Sequence, residues 1–457
     1  MSPGSRPMSW WDMARFHALV TLPAALLGLV APNRFVVGWF ARWDLARLAV
    51  RFVAALQRKY GCGHLWLWFP FARTLLVLDR ASIDAVLTSR DNAADPWLKK
   101  AALSRFVPDA LVISSGDAWT ERRRFNEQVL DFARPLADAQ KFKDIALGAV
   151  AQWAPEREGR LRWPDFQRLA LRISHEVLLG PGHVSPEMAA QLARMATAAN
   201  VLLQRRRDFA AFYDRIERML GQHRMAPSGV QPTHTESVPE ACLLHRAARL
   251  QDDGRATSSV CVPSQVGFWF FVLKDALELH VARTLALIAI HADIHDRVRR
   301  EVTQSPAAGE AAFADMPLLD ACIREQLRLW TPVPLLLRRA TRDFALRDSI
   351  AIKAEQQLLM LAGVFHRDAQ VFGPAADRFA PDVHRGSSPP VYVFSAGHQS
   401  CAGQFVAMFL LKATLAALLA RFRFELVRPS LRPDRIPYAF DHFDIELRAL
   451  AEEAAAS

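Results

Sequence analysis

The sequence predicts a mostly α-helical fold with a minor β-sheet, in a single domain. Three observations carry that expectation. Apolar residues recur at three- and four-residue steps over 118–130, 163–179, 186–203, 208–222, 264–302, 315–330 and 404–421, the period of a helix with one buried face. β-prone runs are few and short: "HLWLWF" and "TLLVL" (64–69 and 74–78) flank a "PFAR" turn, and extended patterns return only at 344–364 and near the C-terminus. The 457 residues are 51% hydrophobic and 10% aromatic, enough to bury a large core and too apolar for a disordered chain. One polar, Pro-containing stretch, 223–240, reads as a surface loop and not as a linker between domains.

Taken in order, the apolar run "ALVTLPAALLGLV" (18–30) is broken by Pro23 and falls short of the roughly 20 residues a spanning helix needs. It is expected to form an interfacial anchor or a partly buried hairpin, which sets residues 1–40 apart from a folded domain over 41–457. Residues 42–61 repeat apolar positions at helical spacing and should form an amphipathic helix, its Arg-rich face packed on the domain or laid on anionic lipid. The run 264–302 carries "FWFFVL" and "LALIAI", leaves few polar faces, and is expected to be the longest, buried helix. "FLLKATLAALLA" (409–420) has the composition of a membrane span, but its short length and Lys412 favour a core helix.

A net charge of +10 would suit nucleic acid, anionic lipid or an acidic protein. The basic clusters "ERRRF" (121–125) and "QRRRDF" (204–209) are short and helical in context, without a nucleic-acid module, so solvated helix faces are expected and nucleic acid is not. Five widely spaced cysteines with no CxxC pair argue against disulfides and zinc knuckles and for a reducing, cytoplasmic setting. Peripheral contact with the inner face of a membrane stays open.

The stretch "VFSAGHQSCAGQF" (393–405) sets Cys401 between Gly397 and Gly403, just ahead of the apolar helix 404–421. Free N–H groups at a helix N-terminus favour a thiolate, and glycines allow close backbone approach. A soft thiolate is a strong iron ligand where water is excluded.

The pattern Phe394-x-x-Gly397-x-x-x-Cys401-x-Gly403 resembles the haem-binding loop of the cytochrome P450 family. "REQLRLWTPVPLLLRRATRDFAL" (324–346), with Glu325 and Arg328, "FHRDAQVFGPAADRFAPDVH" (365–384) and "LVISSGDAWTERRRF" (111–125) resemble further family segments in the family's order. The resemblance implies the cytochrome P450 fold with a single haem domain, haem b as cofactor, and Cys401 as the axial iron ligand. It implies that Trp119, Arg123 and Arg338 reach the haem propionates, with Phe394 and Gly403 completing the loop. Gln399 stands where the family places a cation two residues before the cysteine. Glu325 and Arg328 correspond to a buried structural pair, to which the family adds an Arg; Val383 occupies the aligned place, leaving His384, Arg385 or Arg378 to substitute.

In the long helix, "VLKDAL" (272–277) falls where the family opens a kink over the iron. Asp275 is the acid expected there, or it is simply paired with Lys274 or Arg283; Ala276 replaces the usual threonine and Leu273 a glycine. The function implied is a monooxygenase hydroxylating a hydrophobic small molecule, fed by a ferredoxin or flavin reductase in trans that docks near Arg122, Arg124 and Lys412. Ala276 keeps open peroxide-dependent oxygenation or hydroperoxide rearrangement, and Gln399 with Ala276 a non-catalytic haem-binding protein. Substrate-facing residues are expected near 90–112 and 196–245.

Overall fold

The computed structural model describes residues 5–27, 32–69, 72–94, 107–133, 135–153, 159–180, 207–225, 242–257, 259–304, 316–347, 350–385 and 389–451, with 103–104, 187–188, 190–191 and 194. They fall into two compact units, one from residues 1–95, 321–401 and 429–443, the other from 96–320, 402–428 and 444–457. Neither unit is continuous in sequence, so no single cut of the chain separates them, as expected of one interleaved domain.

The first unit is organised by a six-stranded sheet in the order Ser5–Pro7, His64–Trp68, Arg73–Val77, Gln357–Leu361, Leu335–Ala340, Asn92–Ala94. The expected hairpin pairs His64 with Val77 through Trp68 with Arg73. Gln357–Leu361 is buried at every position, which is why it reads as a continuous apolar run and not as an alternating one. The remaining extended signal, Phe344–Leu346 with Ile350–Ile352, forms a separate two-stranded ribbon. Leu75, Val86, Leu358, Met360 and Tyr392 belong to the core beneath.

The second unit is helical. Val262–Ala289 packs against Trp163–Leu179 and Gln404–Arg421, and the latter also lies on Ala139–Ala151. A three-stranded sheet, Phe422–Arg428, Glu446–Ala451, Arg160–Arg162, closes it. Gln404–Arg421 is long and apolar enough to cross a membrane, yet 56% of it is buried, as the core-helix reading requires.

Two expectations are corrected. The run 264–302 is two helices, Val262–Ala289 and Ala292–Gln304. The His291 ring bonds the Leu287 carbonyl at 2.7 Å, closing the last turn where the backbone ladder stops. The N-terminal run is neither a hairpin nor an appendage. It is helical through Trp10–Phe16, a π turn His17–Thr21 and Leu22–Leu27, with the π turn falling just ahead of Pro23. Ser5–Pro7 pairs in parallel with His64–Trp66, so residues placed outside the domain contribute its edge strand. The expected helix 186–203 lies mostly, and the loop 223–240 from 226 onward, outside the described residues.

Candidate functional site

None of the five cysteines forms a disulfide, and Cys401 is the exposed one. Its loop is held by the backbone. Cys401 N–H donates to the Phe394 carbonyl at 2.8 Å, Ser395 N–H to Tyr392 at 3.0 Å, and Ser400 N–H to Gly397 at 3.1 Å. These bonds close a tight turn that presents the thiol two residues before Gly403, the N-cap of the Gln404–Arg421 helix.

The two glycines are not equivalent. Gly397 has φ +66°, and a Cβ there would sit 2.5 Å from the Leu87 carbonyl oxygen, so the backbone demands glycine. Gly403 has an ordinary backbone, and its nearest protein neighbour would be Leu130 Cδ1 at 3.8 Å, so among the described residues nothing demands a glycine.

Arg338, on the Leu335–Ala340 strand, is buried, and its partners among the described residues are neutral oxygens: Ser395 Oγ at 2.6 Å and the Leu337 carbonyl at 3.2 Å. Burial pushes its pKa down to about 10, as for a cation awaiting an anion. Ser395, which sequence reasoning passed over, is thus the residue that ties Arg338 to the cysteine loop. It does so from a left-handed backbone, φ +60°, and only its small polar side chain hinted at this role. The Gln399 carbonyl oxygen accepts the Ala94 N–H, stitching the loop to the edge strand, while its amide N–H₂ remains a donor.

Behind the loop lies a fully buried lock. Arg328 grips Glu325 in two parallel bonds of 2.7 and 2.8 Å, and His384 Nε2 meets the same carboxylate at 2.9 Å. Of the three substitutes left open for the third basic group, His384 is therefore the one used. Arg378 lends only its carbonyl to Arg328, and Arg385 faces Asp382 on the surface. Arg328 also donates to the carbonyls of His366 and Ala375 and lies over the Phe372 ring. Burial alone would raise the Glu325 pKa; the bonds from Arg328 and His384 outweigh it and hold the carboxyl below its ordinary range.

The remaining predicted residues belong to the second unit. Trp119 and Arg123 lie on the helix Gly116–Val129. Arg123 is buried, bonds Glu127 at 2.6 Å and stacks over Phe132. Asp275 and Ala276 lie mid-helix in Val262–Ala289, which runs unbroken through the expected kink. Lys274 contacts Asp275 at 3.2 Å and Glu278 at 2.7 Å, so the simple pairing considered for Asp275 is present, but with a second carboxylate sharing the cation. Burial raises Glu278 to about 7 and raises Asp275 as well, against the opposing pull of Lys274. Two of the three cations expected at a docking face are committed internally: Arg122 to Asp109, Ser114 and Ser259, and Lys412 to Asp320. Arg124 is exposed.

The residues present fit the cofactor that the resemblance implies. A soft thiol is presented on a rigid turn, a buried guanidinium beside it has only neutral partners, and Gly403 leaves space that no described protein atom fills.

Comparison with known proteins gives the same direction. The profile of the family described as Cytochrome P450 matches residues 281–437, a span that holds Glu325, Arg328, Arg338 and Cys401. Cytochrome P450 4F12 of Homo sapiens is 33% identical over 186 residues, which are 38% of this chain and 35% of that protein. Leukotriene-B4 omega-hydroxylase 3 of Mus musculus is 26% identical over 388 residues, 73% of this chain and 72% of that protein. The matched stretch thus spans about a third of the human relative and nearly three quarters of the mouse one. The fold is similar to that of a retinoic acid-bound cyanobacterial CYP120A1, with TM-score 0.69 and 17% identity over 88% of this chain and 94% of that one. It is also similar to a zebra fish cytochrome P450 with abiraterone, with TM-score 0.72 and 16% identity over 88% and 99%.

Proposed function

Because the chain belongs to the cytochrome P450 family, we propose that it is a haem-thiolate monooxygenase hydroxylating a hydrophobic small molecule, with dioxygen and an electron pair from a separate donor. The observation that carries this reading is the Cys401 turn: an exposed thiol fixed by the Phe394 carbonyl and tied through Ser395 to the buried Arg338. Haem b, when bound, supplies the oxygen chemistry; the protein's part is to ligate, orient and exclude water.

In this account the Cys401 thiolate would ligate the iron, and Arg338 would pair with a propionate. The free amide of Gln399 offers a neutral donor in place of a charged one, worth about half as much. By the resemblance Trp119 and Arg123 would serve the propionates, and Arg123 is bonded to Glu127. Asp275 holds or passes a proton, in competition with Glu278 for Lys274. One atom of dioxygen would enter the substrate as its new hydroxyl and the other would leave as water, with two electrons from a ferredoxin or flavin reductase and two protons from solvent. Cytoplasmic conditions suit both the free thiols and such a donor.

A second reading, favoured by Ala276 and the unbroken helix around it, is use of a preformed peroxide, which needs no electron donor. Product formation with NADPH and a surrogate ferredoxin, set against product formation with hydrogen peroxide alone, separates the readings. Turnover only with the electron donor is expected; turnover only with peroxide favours the second. No turnover with either, in haem-loaded protein given spin-shifting ligands, would reduce the chain to a haem binder. The ligand screen starts from hydrophobic acids, since one relative is named for leukotriene B4 and one neighbour holds retinoic acid, and extends to terpenes and aromatic compounds.

A further inference from the structure

We propose that Asp275 selects the charge of the substrate, and that the substrate is a hydrophobic cation, an aliphatic or aromatic amine whose nitrogen meets this carboxylate. The inference rests on the haem-thiolate reading and names its substrate class. The helix Val262–Ala289 buries Val266, Trp269, Phe270, Leu273, Leu277 and Val281. Phe268, Phe271, Val272, Asp275, Ala276 and Leu279 are not buried, and steps of three and four set them on one face over three turns. That face is apolar except for the Asp275 carboxyl.

The charges beside it do not balance. Lys274 Nζ lies 2.7 Å from Glu278 Oε2 and 3.2 Å from Asp275 Oδ1, so the lysine favours the inner carboxylate. Glu278 is buried and also bonds Gln167 from the Trp163–Leu179 helix. The Asp275 side chain is 40% exposed, and among the described residues its bond is the one from Lys274. One cation against two carboxylates leaves one negative charge in excess, and Asp275 carries it to the open face. Yet protein crowds the same carboxyl closely enough that burial raises its pKa. Exposure together with crowding describes a recess and not the outer surface. An uncompensated charge in such a place is costly, and a ligand cation completes the balance. A carboxylic acid would meet like charge there and gain little from a lysine already turned to Glu278.

The body of the amine has its place as well. From Asp275 back to Phe268 the helix rises about 10 Å, at roughly 1.5 Å per residue. Val272, Phe271 and Phe268 offer that length to an alkyl or aromatic chain, and aromatic rings also attract cations. An ionised Asp275 is the form that can accept a proton, so recognition does not conflict with the proton role.

The test measures ligand binding to the haem-loaded protein by equilibrium dialysis, with decyltrimethylammonium, decanol and decanoate as probes of one chain length. The quaternary nitrogen cannot coordinate iron, so its binding is not confused with ligation of the haem. Wild type should hold the cation about ten-fold more tightly than the alcohol, with decanoate the weakest of the three. Asp275→Asn should bring the cation down to the level of the alcohol and leave the alcohol unchanged. Should that variant fail to hold haem, Glu278→Gln, which frees Lys274 to neutralise Asp275, should cut the cation's advantage several-fold. Decanoate bound as tightly as the cation, or a preference for the cation unaltered in the variants, would overturn the proposal. A thiolate-type Soret band under carbon monoxide without any preference for the cation defeats this inference alone. Absence of that band from wild type defeats the haem-thiolate reading on which it rests.

Discussion

The Cys401 loop and the Lys274–Glu278 turn of the long helix both depart from the family's usual side chains, and the structure treats the departures differently. In the loop the departure is absorbed: Gln399 holds the edge strand through Ala94, beside the bond that Ser395 accepts from Arg338. In the lock behind it, His384 takes the place of an arginine on Glu325. On the helix, Ala276 leaves a hydroxyl missing, and the neighbouring turn crowds Lys274, Asp275 and Glu278 together without replacing it. A turn fixed by many backbone and side-chain contacts can exchange one donor for another and keep its shape. A helix satisfies its own backbone, so a substitution there is felt in the chemistry and not in the fold.

The comparison breaks most readily at the lock. Arg328→Ala strands the Glu325 carboxylate in a dry interior and should cost about 3–5 kcal/mol in denaturant melts. A cost under about 1 kcal/mol would show the pair to be incidental. His384→Ala should cost roughly 1.5–3 kcal/mol, for a lost bond to a charged group, with recovery in His384→Arg. The two glycines sharpen the contrast. Gly397→Ala must push on the Leu87 carbonyl from a strained backbone, and should destabilise the haem-free protein by ~1–3 kcal/mol. Gly403→Ala should leave the haem-free protein within about 0.5 kcal/mol of wild type yet lower haem retained per chain, read by absorbance.

Acid stability tests the first unit as a whole. His366 is buried and neutral, its Nε2 accepting the Tyr392 N–H at 2.9 Å. Burial, then the charges of Arg328, Arg80 and Arg367, push its pKa from 6.5 down to about 3. A base depressed in this way favours the fold above its unfolded value, so stability should fall as pH drops from 6.5 towards 3, with Glu325 adding the same sign at the acid end. Thermal melts across that range check it, and His366→Leu should flatten the slope. The smallest effect belongs to the helix: Glu278→Gln frees Lys274 for Asp275 and should flatten any inflection near pH 7 in the turnover profile, by a few-fold at most. An unchanged profile would make Glu278 structural.

Much of this was legible in the residues. Helical spacing located Trp163–Leu179, Gln404–Arg421 and Pro317–Leu329 to within a few positions, because each buries one apolar face or is wholly core. The Glu325–Arg328 pair expected from the resemblance is bonded in the structure, and the same resemblance singled out Cys401 and Arg338. What escaped depends on contacts between distant segments. Nothing near Ser5 announces a parallel partner at His64, nor does Ser395 announce Arg338. His384 could be narrowed to one of three neighbours but not chosen, because only the fold decides which side chain turns towards Glu325. The break at Ile290–His291 hid inside an apolar run whose period continues across it.

The central claim is that Cys401 carries the iron. It is tested most directly by reducing the purified, haem-loaded protein under carbon monoxide and recording its Soret band. Wild type should show the red-shifted band of thiolate-ligated haem, and Cys401→Ser should lose it while keeping the fold seen by circular dichroism. A wild type without that band, or a serine variant that retains it, would contradict the account.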